Sequence, residues 1–326
     1  MNVKKIGLNE LSVKNPFVSE YWAEIKSHNN WDAKAFLIID DEFSYEIIVL
    51  TKPLLMNLCI AYIPFSPVSL NNNIFLEQKK LKAALLLIKK LITNKIVFFK
   101  IDLPYEYSNE LDFSKSFILN KESVQPELTI RINLDDSIEN IKAKYKKRAK
   151  RNLNKNKDII KTVSVEINKE NIDIWYNIYV ETAKRDGFQP RSYDYVSKIL
   201  TTKKDVKVQL LFAYYNEEVV GGIILISSKS LAVYLLGASK KIDNISASYS
   251  IQDFAIDNLK EQNIKIYDLY GIGDETNSKH LKSLTLFKTS FGGEILKRVP
   301  TLDLPINKVL YKGYKLAEKI RNSIYR

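Results

Sequence analysis

The stretch VVGGIILISSKSLAVYLLGASKKIDNISASYSIQDFAIDNLKEQNIKIYDLYGIG, Val219 to Gly273, decides the fold. It follows the polar turn Asn216-Glu217-Glu218 and opens with two apolar strands, VVGGIILIS and LAVYLLGAS. SASYSIQDFAIDNLKEQ then reads as a helix and IKIYDLYGIG as a third strand. Strand, strand, helix, strand is a mixed α/β unit. The same order occurs about 170 residues earlier, after the acidic turn Asp40-Asp41-Glu42. There, apolar strands ending in AYIPFSPVS precede LEQKKLKAALLLIKKLIT. Its Leu81, Ala84, Leu85, Ile88, Leu91 and Ile92 fall at helical spacing, and the strand KIVFFKIDLP closes the block. The repeat is one of layout, not of residue identity.

Composition sets the class. With 45% apolar and 11% aromatic residues in 326, the chain can bury a sizeable core, which excludes disorder as its main state. One cysteine, Cys59, excludes a disulfide framework, and with only His28 and His280 beside it no zinc spacing exists. The uncharged run 53–70 contains three prolines, so it reads as buried strands and not as a membrane span. The first residues lack the apolar core of a signal peptide, and a soluble, cytoplasmic setting is expected.

The net charge of +12 is concentrated. Lys142 to Lys157 carries nine bases and no acid, and 304–326 carries six bases and one acid. SIENIKAKYKKRAKRNLNKNK is expected to be one helix from Ser137 to Lys157, capped through Asp136 and Glu139. Ile138, Ile141, Tyr145, Ala149 and Leu153 form its narrow apolar stripe. A solvated surface helix is the plain reading of such a charge run. Like charges one turn apart repel, however, and a polyanion that neutralises them removes that cost. A phosphate backbone is therefore the favoured partner. In the second basic segment, Val309, Leu310, Leu316, Ile320 and Ile324 are expected to pack on the body; contact with an anionic membrane surface is the alternative. Two further helices are expected to stop at glycines, NIDIWYNIYVETAKRDG at Gly187 and SKHLKSLTLFKTSFGG at Gly292-Gly293.

Several segments, taken in order, resemble the FemABX family of peptidoglycan bridge-forming aminoacyltransferases, in its short, FemX-like type. They are VSEYWAEIKSHNNW, YIPFSPV, the basic helix, RDGFQPRSYDY, VYLLGAS, IKIYDLYGIG and LFKTSFGGE, and they span nearly the whole chain. The resemblance implies an α/β fold of two tandem acetyltransferase-like domains around a cleft. The first is 1–127 plus a returning helix in 300–326, the second 128–299. The family's helical arm is absent, because about 30 residues separate the basic helix from RDGF. It also implies transfer of one amino acid from aminoacyl-tRNA, without another cofactor. The acceptor is the side-chain amine of the third stem-peptide residue in UDP-MurNAc-pentapeptide or lipid II. A monomer is expected, with the inner membrane surface as a peripheral contact.

Residue by residue, the resemblance makes Lys288 the functional lysine, with Phe287 and Asp102 as companions. Lys26 and Arg191 become phosphate-binding candidates, and Tyr195 and Tyr234 ligands of the stem peptide or sugar. On the basic helix, Lys144, Lys146, Lys147, Arg148, Lys150 and Arg151 become tRNA contacts. Read by pattern alone, Lys288 is a solvated lysine on a helix with Leu281, Leu284 and Phe287 in the core. Likewise, the tyrosines are half-buried packing residues and Asp102 caps a strand end. The chain departs from the family at Leu236, where an aromatic is common, and at Phe65-Ser66 in place of Arg-Gly. After VYLLGAS the segment KKIDNISASYS has no glycine, which argues against a coenzyme A phosphate loop. A non-catalytic RNA-binding protein and tRNA-dependent transfer to a protein or lipid acceptor remain the other readings.

Overall fold

The computed structural model describes residues 1–71, 75–107, 112–120, 123–273 and 279–324. Its chain divides into two compact units, one of residues 1–12, 17–127 and 297–326, the other of 13–16 and 128–296.

The first unit begins with β1 (Asn2–Ile6) and α1 (Glu20–Ser27), followed by β2 (Asp32–Asp40), β3 (Phe43–Pro53), β4 (Leu58–Ile63) and β5 (Val68–Ser69). Helix α2 (Gln78–Leu91), β6 (Lys95–Ile101) and β7 (Ile118–Leu119) follow. In the second unit lie β8 (Leu128–Asn133), α3 (Ile138–Ala143), α4 (Lys147–Asn156), β9 (Lys161–Val165), α5 (Lys169–Asp186) and α6 (Tyr193–Thr201). Next come β10 (Lys207–Tyr215), β11 (Glu218–Ser227), β12 (Leu231–Ser239), α7 (Ala247–Glu261), β13 (Ile266–Asp268), α8 (Lys279–Lys288) and β14 (Glu294–Lys297). The chain then returns to the first unit as β15 (Leu302–Pro305) and α9 (Lys308–Ile324).

The shared layout is real. In each unit an antiparallel meander leads through a helix into a parallel pair, β4 with β6 across α2 and β12 with β13 across α7. A parallel pair requires such a crossover. The first sheet runs β1-β2-β3-β4-β6-β15-β7, with β5 on β3; the second runs β14-β8-β13-β12-β11-β10-β9. On α2, Leu81, Ala84, Leu85 and Ile88 are buried, and Ile92 just beyond it is too, whereas Leu91 is exposed. Each fully buried Leu or Ile here contributes about 1.5–3 kcal/mol.

The expected single basic helix is two, α3 and α4, with Lys146 extended between them (φ −73°, ψ 161°). Tertiary contacts impose the break. Tyr145 is buried edge-on against Phe291 at 5.3 Å, and its hydroxyl donates to Asp253 at 3.0 Å. The Lys146 N–H donates to the Ser290 carbonyl at 2.9 Å instead of continuing a helix. Gly292 adopts φ +85°, and a Cβ there would come within 2.6 Å of the Lys144 carbonyl oxygen. The cap also shifts by one residue: Ser137, not Asp136, accepts from the N–H of Asn140. The apolar stripe itself is as spaced, with Ile141, Tyr145 and Ala149 buried and Ile138 and Leu153 packed against them. Helix α5 ends at Gly187 with φ +74°, as its sequence predicts.

Two expectations about apolar segments are overturned. Run 53–70 is not buried throughout, because its turn 54–57 leaves Leu55 and Met56 exposed. On α9, Val309, Leu310, Leu316 and Ile320 face solvent, and the side chain of Ile324 lies outside the described ones. The helix docks instead through Tyr311 and Tyr314, each 5.1 Å from the Phe98 ring of β6. Both rings pack against Phe98 at the separation of favourable aromatic pairs.

A buried ion pair ties the returning segment to the first unit. Arg298 lies 3.0 Å from Asp102, and neither side chain is exposed. The guanidinium also donates to the carbonyls of Pro126, Val299 and Gln125. Breaking such a pair strands a charge. Arg298→Leu is expected to lower the unfolding free energy by about 3–5 kcal/mol in urea titration.

Candidate functional site

Strands β12 and β13 run parallel for three residue pairs, Leu231–Ile266, Ala232–Tyr267 and Val233–Asp268. β12 then continues to Ser239, while β13 ends. Beyond that point the strands part, and a cavity of about 490 Å³ occupies the wedge. Tyr234 to Ser239 line one side and Tyr270 and Gly271 the other, joined by Ser246, Ser248 and Tyr249 at the start of α7. Phe287 and Lys288 of α8, Arg148 of α4 and Arg185 of α5 also line it.

Separated strands leave carbonyls without ladder partners, and a buried carbonyl needs a donor. Lys288 is that donor. Its Nζ gives hydrogen bonds to the carbonyls of Tyr270 (3.0 Å) and Gly271 (2.8 Å) and lies 5.2 Å above the Tyr234 ring. Burial pushes its pKa down to about 7, and the nearby Asp268 carboxylate opposes that shift. The solvated lysine that pattern alone suggests is thus corrected: only 5% of Lys288 is exposed. Tyr270 adopts φ +57°, rare for an aromatic residue. Asp268 holds it there, accepting from the Tyr270 N–H at 2.7 Å, from Thr129 at 2.5 Å and from Arg131 Nε at 2.9 Å. Backbone strain sits next to the buried amine, as it does at many reactive sites.

Tyr234 stands at a β-bulge, where Leu225 pairs with Tyr234 and Ile224 with Leu236. Its hydroxyl lies over Gly237, where an added Cβ would fall 1.9 Å away, so only glycine admits this pose. Desolvation pushes the Tyr234 hydroxyl up to about 12, which keeps it protonated as a donor. Phe287 is half-buried, edge-on to Tyr249 at 5.0 Å and to Phe291 at 5.6 Å. Leu236 also lines the cavity. Leu284 does too, whereas the side chain of Leu281 lies outside the described ones.

The basic segment divides by role. Lys142 is spent on Asp253 (3.1 Å) and Asp257 (2.7 Å), and Lys144 on Asp136 (3.0 Å). These acids, of which Asp253 and Asp257 are distant in sequence, relieve part of the self-repulsion. Lys146, Lys147, Arg148, Lys150 and Arg151 remain exposed, with Lys150 also donating to the Ala143 carbonyl at 3.0 Å. Arg148 connects this group to the cavity.

The other expected site residues lie outside the cavity. Arg191 precedes α6, its guanidinium 5.9 Å from the Tyr195 ring, so these two stand together. Lys26 and Asp102 belong to the first unit. The Lys26 ammonium lies 4.6 Å from the Trp22 ring on α1. Asp102 has no exposure; besides Arg298 it accepts from Tyr62 at 2.7 Å and from Thr301. Asp268, Tyr270, Tyr249 and Arg185 were not anticipated. The acid ending the strand IYD and the helical spacing of Leu284, Phe287 and Lys288 were the available signals. Among the described residues, no group of three or more His, Cys, Asp or Glu could hold a metal. Nor is any helix among them long and apolar enough to cross a membrane.

The sequence model of the FemAB family matches residues 119–218 and 203–319. Aminoacyltransferase FemA of Staphylococcus epidermidis is 27% identical over 101 residues, which cover 31% of this chain and 24% of that protein. FemA of Staphylococcus aureus (strain COL) is likewise 27% identical over 105 residues, 32% of this chain and 25% of the relative. The matched stretch therefore spans about a quarter of these curated relatives. A crystal structure of FemX superimposes with a TM-score of 0.80 at 16% identity, covering 96% of this chain and 99% of that one. A tandem acetyltransferase-like (GNAT) protein from the clavulanic acid pathway superimposes at 0.52 and 8% identity, over 94% and 98% of the two chains. The fold is thus the tandem acetyltransferase-like α/β type.

The buried amine has a thermodynamic signature. Its folded pKa, about 7, lies below the ordinary 10.5, so between these values the unfolded chain binds more protons and stability rises with pH. The penalty is full below pH 7 and gone above 10.5. Urea titrations from pH 7 to 9 should show wild-type stability gaining on Lys288→Met, by up to about 1.4 kcal/mol per pH unit. Parallel pH profiles for the two proteins would refute the buried amine.

Proposed function

The chain belongs to the FemAB family, and from that premise we propose that it moves a single amino acid from aminoacyl-tRNA to a peptidoglycan precursor. The acceptor we assign is the side-chain amine of the third stem-peptide residue, in UDP-MurNAc-pentapeptide or its lipid-linked form. One observation carries this reading: Arg148, from the exposed basic helix, lines the same cavity as Lys288. A backbone-phosphate grip and a buried amine are thereby joined in a single site.

The chemistry follows from the state of that amine. A neutral Lys288 donates two hydrogens to the Tyr270 and Gly271 carbonyls and keeps a lone pair. As the acceptor amine attacks the ester carbonyl, the C–N bond forms and the lone pair takes the amine's proton. The resulting ammonium has a third N–H for the tetrahedral oxyanion. When the ester C–O bond breaks, the same proton passes to the departing 3′-oxygen of the tRNA. A pKa of about 7 keeps both protonation states accessible near neutral pH. Tyr234 contributes a protonated hydroxyl at the cavity wall, and Arg191 with Tyr195 forms a further anion-binding pair in the same unit.

Purified protein with charged tRNA and either acceptor should give a product heavier by one amino-acid residue. Lys288→Met should lower turnover about 10²–10³-fold with tRNA affinity retained. Lys147→Glu with Arg151→Glu should instead raise the KM for tRNA and flatten its salt dependence. If no charged tRNA modifies either acceptor, the assignment is wrong.

A further inference from the structure

We infer that the outward face of α9, together with the turn 54–57, docks on an anionic lipid bilayer. Tyr311 and Tyr314 seat the helix on β6, so the face opposite them is turned away from the body. At 100° per residue, Val309, Leu316 and Ile320 cluster within about 40° on that opposite face. Val309 is 80% exposed, Leu316 61% and Ile320 53%. An aliphatic stripe held out in water by a helix docked through its other side has an energetic reason to find an apolar medium.

The charges bordering the stripe specify that medium. Lys308, Lys312 and Lys319 run along one edge, and all three are exposed. The helix's acid, Glu318, is engaged by Lys315 on the docked side. An apolar stripe edged with lysine matches the boundary between acyl chains and negative headgroups. A protein groove would have to supply both an apolar slot and a ring of acids.

A second element adds to this surface. The turn 54–57 exposes Leu55 at 84% and Met56 at 91%. Leu58, whose carbonyl accepts from the Leu54 N–H at 2.7 Å, packs in the same cluster as Phe98, Tyr311 and Tyr314. The apolar turn is thus rooted in the contact that seats α9. Neither element shares residues with the cavity, so the inference stands independently of the proposed reaction.

Vesicle co-sedimentation with the full chain tests it. The wild type should pellet with phosphatidylcholine vesicles containing phosphatidylglycerol, weakly with phosphatidylcholine alone, and less as salt rises. Leu316→Glu with Ile320→Glu should cut partition at least about tenfold, as should Leu55→Glu with Met56→Glu. Lys312→Glu with Lys319→Glu, which spares the apolar positions, should cost about tenfold on anionic vesicles alone. No pelleting at low salt, or partition unchanged in the Leu316/Ile320 variant, would overturn the proposal. So would light scattering that shows a wild-type dimer lost in that variant without vesicle binding, since the stripe would then face a second copy.

Discussion

The amine of Lys288 lies where two parallel strands separate, and the second unit is arranged around satisfying that gap. Parting strands would leave the Tyr270 and Gly271 carbonyls bare; the lysine fills the role of the missing strand. Having done so it is out of water, and desolvation makes it a far weaker base than a surface lysine. Structure and reactivity therefore share one origin. The left-handed Tyr270 and the Asp268 carboxylate that steadies it belong to the same arrangement, because they set where the two carbonyls point.

Electrostatics divide the basic segment into structural and available charges. Lys142 and Lys144 meet carboxylates from α7 and from Asp136, just before the cap of α3, which lets α3 pack despite its composition. The charges past the break at Lys146 stay open to solvent. Tyr145 enforces the division: its burial turns the chain, so that α4 presents its cations in a direction a continuous helix would not give.

Much of this was readable from the chain. Helical spacing marked α2, α5 and α7, and two blocks of matching order announced two α/β units. What escaped was decided by partners remote in sequence. No local signal in KAKYKKRAK says that a carbonyl from Ser290 and a ring from Phe291 will interrupt the helix. On α9 the sequence offers an aromatic stripe and an aliphatic one on opposite sides, and only the Phe98 surface of β6 chooses between them. Lys288 was singled out by resemblance alone; the pattern read it as solvated, although it stands four residues after Leu284, and burial overturned that reading. The feature hardest to foresee was that two backbone carbonyls inside the fold would hold a lysine by its ammonium end. That depends on how far β12 outruns β13.

The position of β15 bears on how the chain matures. This strand lies between β6 and β7 in the first sheet, yet some 170 residues of the second unit are made before it. As the polypeptide leaves the ribosome, the first unit must wait with β6 paired on one side only and Asp102 lacking Arg298 until the second unit has been made. The earlier-made half therefore cannot close its sheet until the later-made half has been synthesised. An open strand edge during that interval invites mispairing, so nascent chains would be most vulnerable to aggregation just before Arg298 emerges.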